Sequence, residues 1–143
     1  MKERFKTISA IHLFFIKNDQ VLLSRRYNTG YQDGSYSVPA GHVEEGESVI
    51  QAGVREALEE VGVRLSEGDL EFGHVMHRKS DRVSLDFFFI CRNWHNEPLN
   101  CEPEKCDELR WVPLKQLPTN TIPYVVTALE KALNGEKYSE LGW

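Results

Sequence analysis

Cysteine is scarce in this chain of 143 residues. Only Cys91, Cys101 and Cys106 occur, odd in number and without the spacing of a metal knuckle. A disulfide scaffold and a cysteine-built zinc site are therefore excluded, and the three thiols are expected to be reduced, which places the protein in the cytoplasm. Long apolar runs are lacking too. None approaches the roughly 18 residues that cross a bilayer, and the charged start Met-Lys-Glu-Arg-Phe-Lys is not followed by a signal-type apolar block, so no membrane partner is expected. Positive charge is in deficit: 17 Lys and Arg against 22 Asp and Glu give a net charge of -5. A nucleic-acid polymer is then an unexpected partner, because binding one takes a basic footprint. A small phosphorylated molecule stays open, since metal ions can supply the missing positive charge. His42, His74 and His77 lack metal-ligand spacing and read as structural or rim residues. There is no repeat, low-complexity tract or linker, so residues 1–143 are read as one domain.

What is present alternates between strand and helix signals. Ile8 to Ile16 is apolar and β-prone, Asn18-Asp19 is a turn signal, and Val21 to Ser24 resumes the apolar run, which predicts a hairpin. Asn28 to Gly34 reads as a loop, Tyr36 to Pro39 as a short strand, and Gly41 to Gly46 as a tight glycine-bounded loop. Ser48 is a plausible N-cap, and Gln51 three residues later completes a capping box. Ile50, Val54, Ala57 and Val61 then recur at helical spacing up to a stop at Gly62. Further strands are expected at Leu70 to Met76, Val83 to Cys91 and Leu109 to Val112, and a last helix over Ile122 to Leu133 ahead of Gly135. The sum is a mixed α/β chain whose sheet lies between helices.

The first helix carries an acidic cluster. Glu56 stands three residues from Glu59 and four from Glu60, so all three carboxylates share one side. Like charges so placed cost about 0.2–0.5 kcal/mol per pair, and Arg55 alone does not neutralise three. Taken bare, such a cluster reads as a solvated face. The sharper reading is a seat for a hard divalent cation, which takes oxygen ligands and commonly shares them with substrate phosphates.

The wider segment decides between the two. Gly41 to Val63 reads GHVEEGESVIQAGVREALEEVGV, which resembles the Nudix box, and Gly41, Glu47, Arg55, Glu56, Glu59, Glu60 and Gly62 fill every fixed position. At average residue usage such a match is roughly a one-in-a-million accident. Ala57 alone is smaller than the usual aliphatic residue.

The resemblance implies a Nudix-type α/β/α sandwich with a mixed sheet between helices, and a hydrolase that cuts a diphosphate linkage with Mg²⁺ or Mn²⁺. It implies Glu56, Glu59 and Glu60 as metal-binding and base carboxylates, with Glu56 or Glu59 taking the water proton and the Ala40 carbonyl adding a backbone ligand. It further implies that Arg55 orients its neighbours through Glu47, and that Gly41 and Gly46 let the loop approach metal and phosphates.

Outside the box, Glu97 to Cys106 is an acidic, proline-stiffened loop. Similarity to MutT-like members implies one more metal carboxylate there, Glu102 first and Glu104 second. It also implies that Arg26, of the pair Arg25-Arg26, reaches a substrate phosphate and that Asn120 reads a base. Tyr31, Tyr36 and Trp111 are expected to pack in the core before they stack on a base. The ADP-ribose subgroup carries a proline about fifteen residues beyond the box, where this chain has Arg78 and Lys79. The expected substrate is therefore a nucleoside triphosphate, an oxidised one included, cut to monophosphate and pyrophosphate by a monomer or homodimer. ADP-ribose or sugar-nucleotide cleavage, and a non-catalytic nucleotide sensor, are the alternatives.

Overall fold

The computed structural model describes residues 2–143. Its first strand, β1 (Ile8–Lys17), is apolar on both faces because both are covered. Ile11, Leu13 and Phe15 point into one core layer, and Phe14 and Ile16 into the other. A two-residue turn at Asn18 and Asp19, both at positive φ, returns the chain as β2 (Gln20–Arg26). That is the primed hairpin geometry which Asn and Asp tolerate best.

The remaining elements are β3 (Tyr36–Ser37), β4 (Ala40–His42), α1 (Val49–Val61), a 3-10 turn (Glu67–Asp69), β5 (Glu71–Lys79), β6 (Val83–Cys91), β7 (Cys106–Pro113), α2 (Pro123–Leu133) and β8 (Tyr138–Leu141). The sheet order is β3-β2-β1-β6-β5-β8, with β4 added on β1 and β7 on β2. It is mixed: β1 runs parallel to β6 and β5 parallel to β8, while the other pairings are antiparallel. One layer packs Ala52, Ala57 and Val61 of α1 on Leu13, Leu22 and Phe89, and the other packs Val125 and Leu129 of α2 on Phe14, Met76 and Phe88. The expected α/β/α sandwich is what forms.

Helix α1 starts and stops where its sequence directs. Ser48 accepts from the Gln51 N–H at 3.1 Å, and Gln51 accepts from the Ser48 N–H at 2.8 Å. Gly62 closes the helix in the left-handed region at φ 66°, a conformation that disfavours side chains. Four details differ from expectation. Gly41 and His42, the start of the expected loop, are strand together with Ala40, because the antiparallel edge of β1 captures them. The strand expected from Tyr36 to Pro39 stops at Ser37, and β7 is longer than Leu109 to Val112. Strand β8 was not expected: it is short, largely exposed and held by pairing with β5, so no apolar periodicity announces it.

Candidate active site

The carboxylates sit on the C-terminal half of α1, facing β4 and the loop between β6 and β7. Placing Glu59 and Glu60 in the last turn of a helix sets them against the negative end of its dipole, and no basic residue occupies that turn. Such a locally unfavourable choice is understandable where function needs concentrated negative charge.

Arg55 holds the cluster together. Its guanidinium grips Glu47 with two bonds, Nη2 to Oε1 at 2.7 Å and Nε to Oε2 at 3.1 Å. Its Nη1 donates to Glu56 Oε1 at 2.7 Å and Glu59 Oε2 at 3.1 Å, and Nη2 also donates to the His42 carbonyl at 3.0 Å. The hydrogen bond to Glu47 is the main reason the Arg55 pKa rises, and in turn Arg55 holds the Glu47 carboxyl below the usual carboxylate range. Burial pushes Glu56 up despite Arg55. Burial, reinforced by Glu56 and Glu102, pushes Glu60 well above the usual range, although the Ala40 N–H donates to its Oε2 at 2.8 Å.

Gly41 is fixed by this packing. A Cβ on Gly41 would overlap the Glu56 carboxyl, so only glycine lets β4 lie against that side chain. Ala40 is oriented by register. Leu13 donates to the Pro39 carbonyl and Val43 to the Ser9 carbonyl, so Pro39 and Val43 bond across to β1 while the Ala40 N–H turns the other way, to Glu60. In an antiparallel strand the carbonyl of a residue faces the same side as its N–H. The Ala40 carbonyl thus belongs to the carboxylate side.

Glu102 arrives by a different route. The loop after β6 is tied to the end of α1: Leu99 donates to the Val61 carbonyl at 2.9 Å, Cys101 to the Glu60 carbonyl at 3.0 Å, and the Asn96 amide to the Gly62 carbonyl at 2.7 Å. These bonds satisfy helix carbonyls that would otherwise lack partners. They also bring Glu102, and not Glu104, into a cleft of about 550 Å³ with Glu56, Glu59, Glu60 and Arg26. Lys105 and Asn100 line the same cleft and were not singled out from sequence, since an exposed Lys or Asn in a loop carries no pattern.

The other residues scatter. Arg26 stands between this cleft and a second one, with Nε donating to the Tyr31 carbonyl at 2.7 Å and Nη2 to Thr29 Oγ1 at 3.1 Å. Asn120 lies outside the lining of both clefts, and its amide donates to the Gly34 carbonyl at 2.8 Å. Tyr36 and Trp111 pack, as expected, Tyr36 in the α2-side core with its hydroxyl on Glu108, and Trp111 against Trp94. Tyr31 is the exception: it is exposed and sits beside Arg26.

The donor set suits a hard divalent cation. It is all oxygen, partly buried, and raised in energy by the mutual repulsion that a cation would relieve. Among the described residues, no three carboxylates converge on one point in the present rotamers. Arg55 engages an oxygen of both Glu56 and Glu59, and Ala40 one of Glu60. Each of these bonds takes one carboxylate oxygen, which leaves the second oxygen of Glu56, Glu59 and Glu60 for a cation while Arg55 holds its neighbours in place.

Comparison with known proteins identifies the family. The NUDIX domain family model matches residues 6–130. The chain is 27% identical over 114 residues to the 8-oxo-dGTP diphosphatase of Escherichia coli (strain K12), covering 80% of this chain and 85% of that protein. It is 29% identical over 97 residues to the 8-oxo-dGTP diphosphatase of Proteus vulgaris, covering 68% and 86%. The crystal structure of a MutT NUDIX hydrolase from Burkholderia pseudomallei shares the fold, with a TM-score of 0.81 at 22% identity over 89% of this chain and 98% of that one. The chain belongs to the NUDIX family and is a MutT-like pyrophosphohydrolase.

Proposed function

We propose that the protein, as one domain over residues 1–143, hydrolyses a nucleoside triphosphate, an oxidised one included, to monophosphate and pyrophosphate with Mg²⁺ or Mn²⁺. The observation that supports this most is the position of Glu102, which adds a fourth carboxylate to Glu56, Glu59 and Glu60 in one cleft beside Arg26. The similarity to two 8-oxo-dGTP diphosphatases, each covered over most of its length, favours a triphosphate over ADP-ribose or a sugar nucleotide.

When bound, the cation neutralises phosphate charge and lowers the pKa of attacking water. Glu56, Glu60, Glu102, Glu59 and the Ala40 carbonyl are the groups that would hold it. One of Glu56 and Glu59 takes the proton from the water. The raised pKa of Glu56 fits a base whose basicity burial has increased. Arg55 and Glu47 keep the carboxylates apart and oriented, Gly41 keeps β4 clear of Glu56, and Arg26 meets the negative charge that develops on the phosphates. Asn120, in its present bond to Gly34, would have to release that carbonyl to read a base.

The three thiols form no disulfide, which fits a reducing cytoplasm, and among the described residues no helix is long and apolar enough to cross a membrane. The test is chromatography of a triphosphate panel incubated with Mg²⁺. Monophosphate with pyrophosphate supports the reading. Diphosphate with orthophosphate, or cleavage confined to ADP-ribose and sugar nucleotides, overturns it.

A further inference from the structure

The turn that delivers Glu102 also delivers a cation. The Glu102 carbonyl accepts from the Lys105 N–H and the Cys106 N–H, each at 2.9 Å, and the Tyr27 N–H donates to the Lys105 carbonyl at 3.0 Å. Asn100 closes the turn: its amide donates to the Cys106 carbonyl at 2.6 Å, and its oxygen accepts from the Glu102 N–H at 3.1 Å. The backbone of Lys105 is therefore pinned between the end of β2 and the loop that α1 anchors, and its side chain lines the carboxylate cleft.

The other cations near the site are committed. Arg55 serves Glu47, Glu56 and Glu59, and Arg26 donates to the Tyr31 carbonyl and Thr29 Oγ1. In the adjoining cleft of about 440 Å³, Arg78 Nε on β5 donates at 2.9 Å to Asp86 on β6, which His12 Nε2 on β1 also meets at 3.1 Å. Arg82 Nη2 stands 3.1 Å from His42 Nε2.

Lys105 is different. Among the described residues its Nζ has one acidic neighbour, Glu102 Oε2 at 3.8 Å, too far for a hydrogen bond, and its side chain is 64% exposed. An exposed pair of that kind holds an ammonium weakly. Lys105 thus presents a compact positive charge with three donors, on a fixed backbone, that can meet phosphate oxygens without first breaking a strong bond.

Position decides which phosphate it meets. Arg26 and Ala40 line both clefts, whereas Lys105 lines the carboxylate cleft alone. A nucleoside leaves the carboxylate cleft where space continues, past Arg26 and Ala40. The near phosphates then lie by Arg26, and the far end of the chain reaches Lys105. That end is the terminal phosphate, which carries the most charge.

We propose that Lys105 binds the terminal phosphate and so sets the length of phosphate chain that the enzyme prefers, triphosphate over diphosphate. This rests on the nucleoside-triphosphate reading above and adds the residue that counts the phosphates. Glu102 and Lys105, three residues apart on one turn, then divide the work: the carboxylate serves the cation and the ammonium serves the phosphate. The bond site lies between the α and β phosphates, so the Lys105 contact is made in the ground state and the transition state alike. Its loss is read in KM rather than in kcat.

Deoxyguanosine triphosphate and diphosphate differ by that phosphate alone. With Mg²⁺ the wild-type protein should favour the triphosphate by roughly tenfold or more in kcat/KM, the worth of one charge-assisted contact. Lys105→Gln should raise KM for the triphosphate about tenfold with kcat little moved, which brings the ratio toward one, and Lys105→Arg should keep most of the preference. Calorimetric binding of inorganic pyrophosphate in Mg²⁺ needs no turnover and should weaken about tenfold in Lys105→Gln. A Lys105 that only steadies Glu102 would shift the Mg²⁺ dependence and slow both nucleotides alike. That result, an unaltered preference or unaltered pyrophosphate binding overturns the assignment and leaves the reaction standing. Lys105-dependent pyrophosphate binding without hydrolysis of the triphosphate keeps the assignment and overturns the reaction.

Discussion

Arg55 and Glu47 form a two-bond ion pair across the first turns of α1, with Nη2 to Oε1 at 2.7 Å and Nε to Oε2 at 3.1 Å. The same guanidinium also contacts Glu56 and Glu59. One cation therefore sets the spacing of three carboxylates, and a lysine cannot reproduce that fork. Arg55→Lys should lower metal affinity or kcat by about 10- to 100-fold, the usual range for a residue that orients metal ligands. A Mg²⁺ titration of initial rate checks this, and an unchanged curve would show that Arg55 is surface charge.

Glu60 gives a stability prediction with a definite sign. Its folded carboxyl lies well above the ordinary value of 4.5, so the folded state binds the proton more tightly than the unfolded chain. Stability of the metal-free protein should then fall as pH rises from about 4.5 toward the raised folded value. Glu60→Gln keeps an acceptor for the Ala40 N–H and removes the charge. It should melt at a higher temperature than wild type in chelator at neutral pH, and gain less from added Mg²⁺. Scanning calorimetry with and without Mg²⁺ reads both effects, and a lower metal-free melting temperature would contradict the assignment.

Asp86 gives the opposite sign. Its folded pKa of about 2 lies below the ordinary 3.8, so its contribution is fully present above the ordinary value and lost as pH falls through the folded one. The linkage is about 2 kcal/mol. Acid unfolding of wild type should therefore steepen between those two values, and Asp86→Asn should flatten that part of the curve. Parallel curves for the two proteins would mean that Asp86 gains little from His12 and Arg78.

The loop after β6 carries the next prediction. Glu102→Ala should shift the Mg²⁺ dependence of rate to higher concentration, while Glu104→Ala should not, because only Glu102 lines the carboxylate cleft. A larger shift in the Glu104 variant would mean that the loop turns the other way when metal binds.

The contrast between these residues shows what the sequence carried. The α1 cluster was legible because i, i+3 and i+4 spacing is itself geometry, and Ser48, Gln51 and Gly62 mark where the helix starts and stops. The sandwich followed from apolar runs such as β1, buried on both faces. Strand β8 was hidden because edge pairing, not burial, forms it. The Asp86, His12 and Arg78 unit was hidden for a different reason. Its members come from three strands that become neighbours only through the parallel pairing of β1 with β6 and the hairpin of β5 with β6. Nothing in local spacing announces such a meeting.

The α1 carboxylates are proposed to run metal-dependent cleavage of a triphosphate between its α and β phosphates. The most direct measurement is steady-state product formation with Mg²⁺ for wild type, Glu56→Gln and Glu60→Gln, with a melting curve on each to show that the fold survives. Wild type should release monophosphate and pyrophosphate and stop on chelation, and each variant should stay folded while kcat falls by about 10²- to 10⁴-fold. Near-normal turnover in either folded variant, or full wild-type turnover in chelator, would contradict that role for the carboxylates.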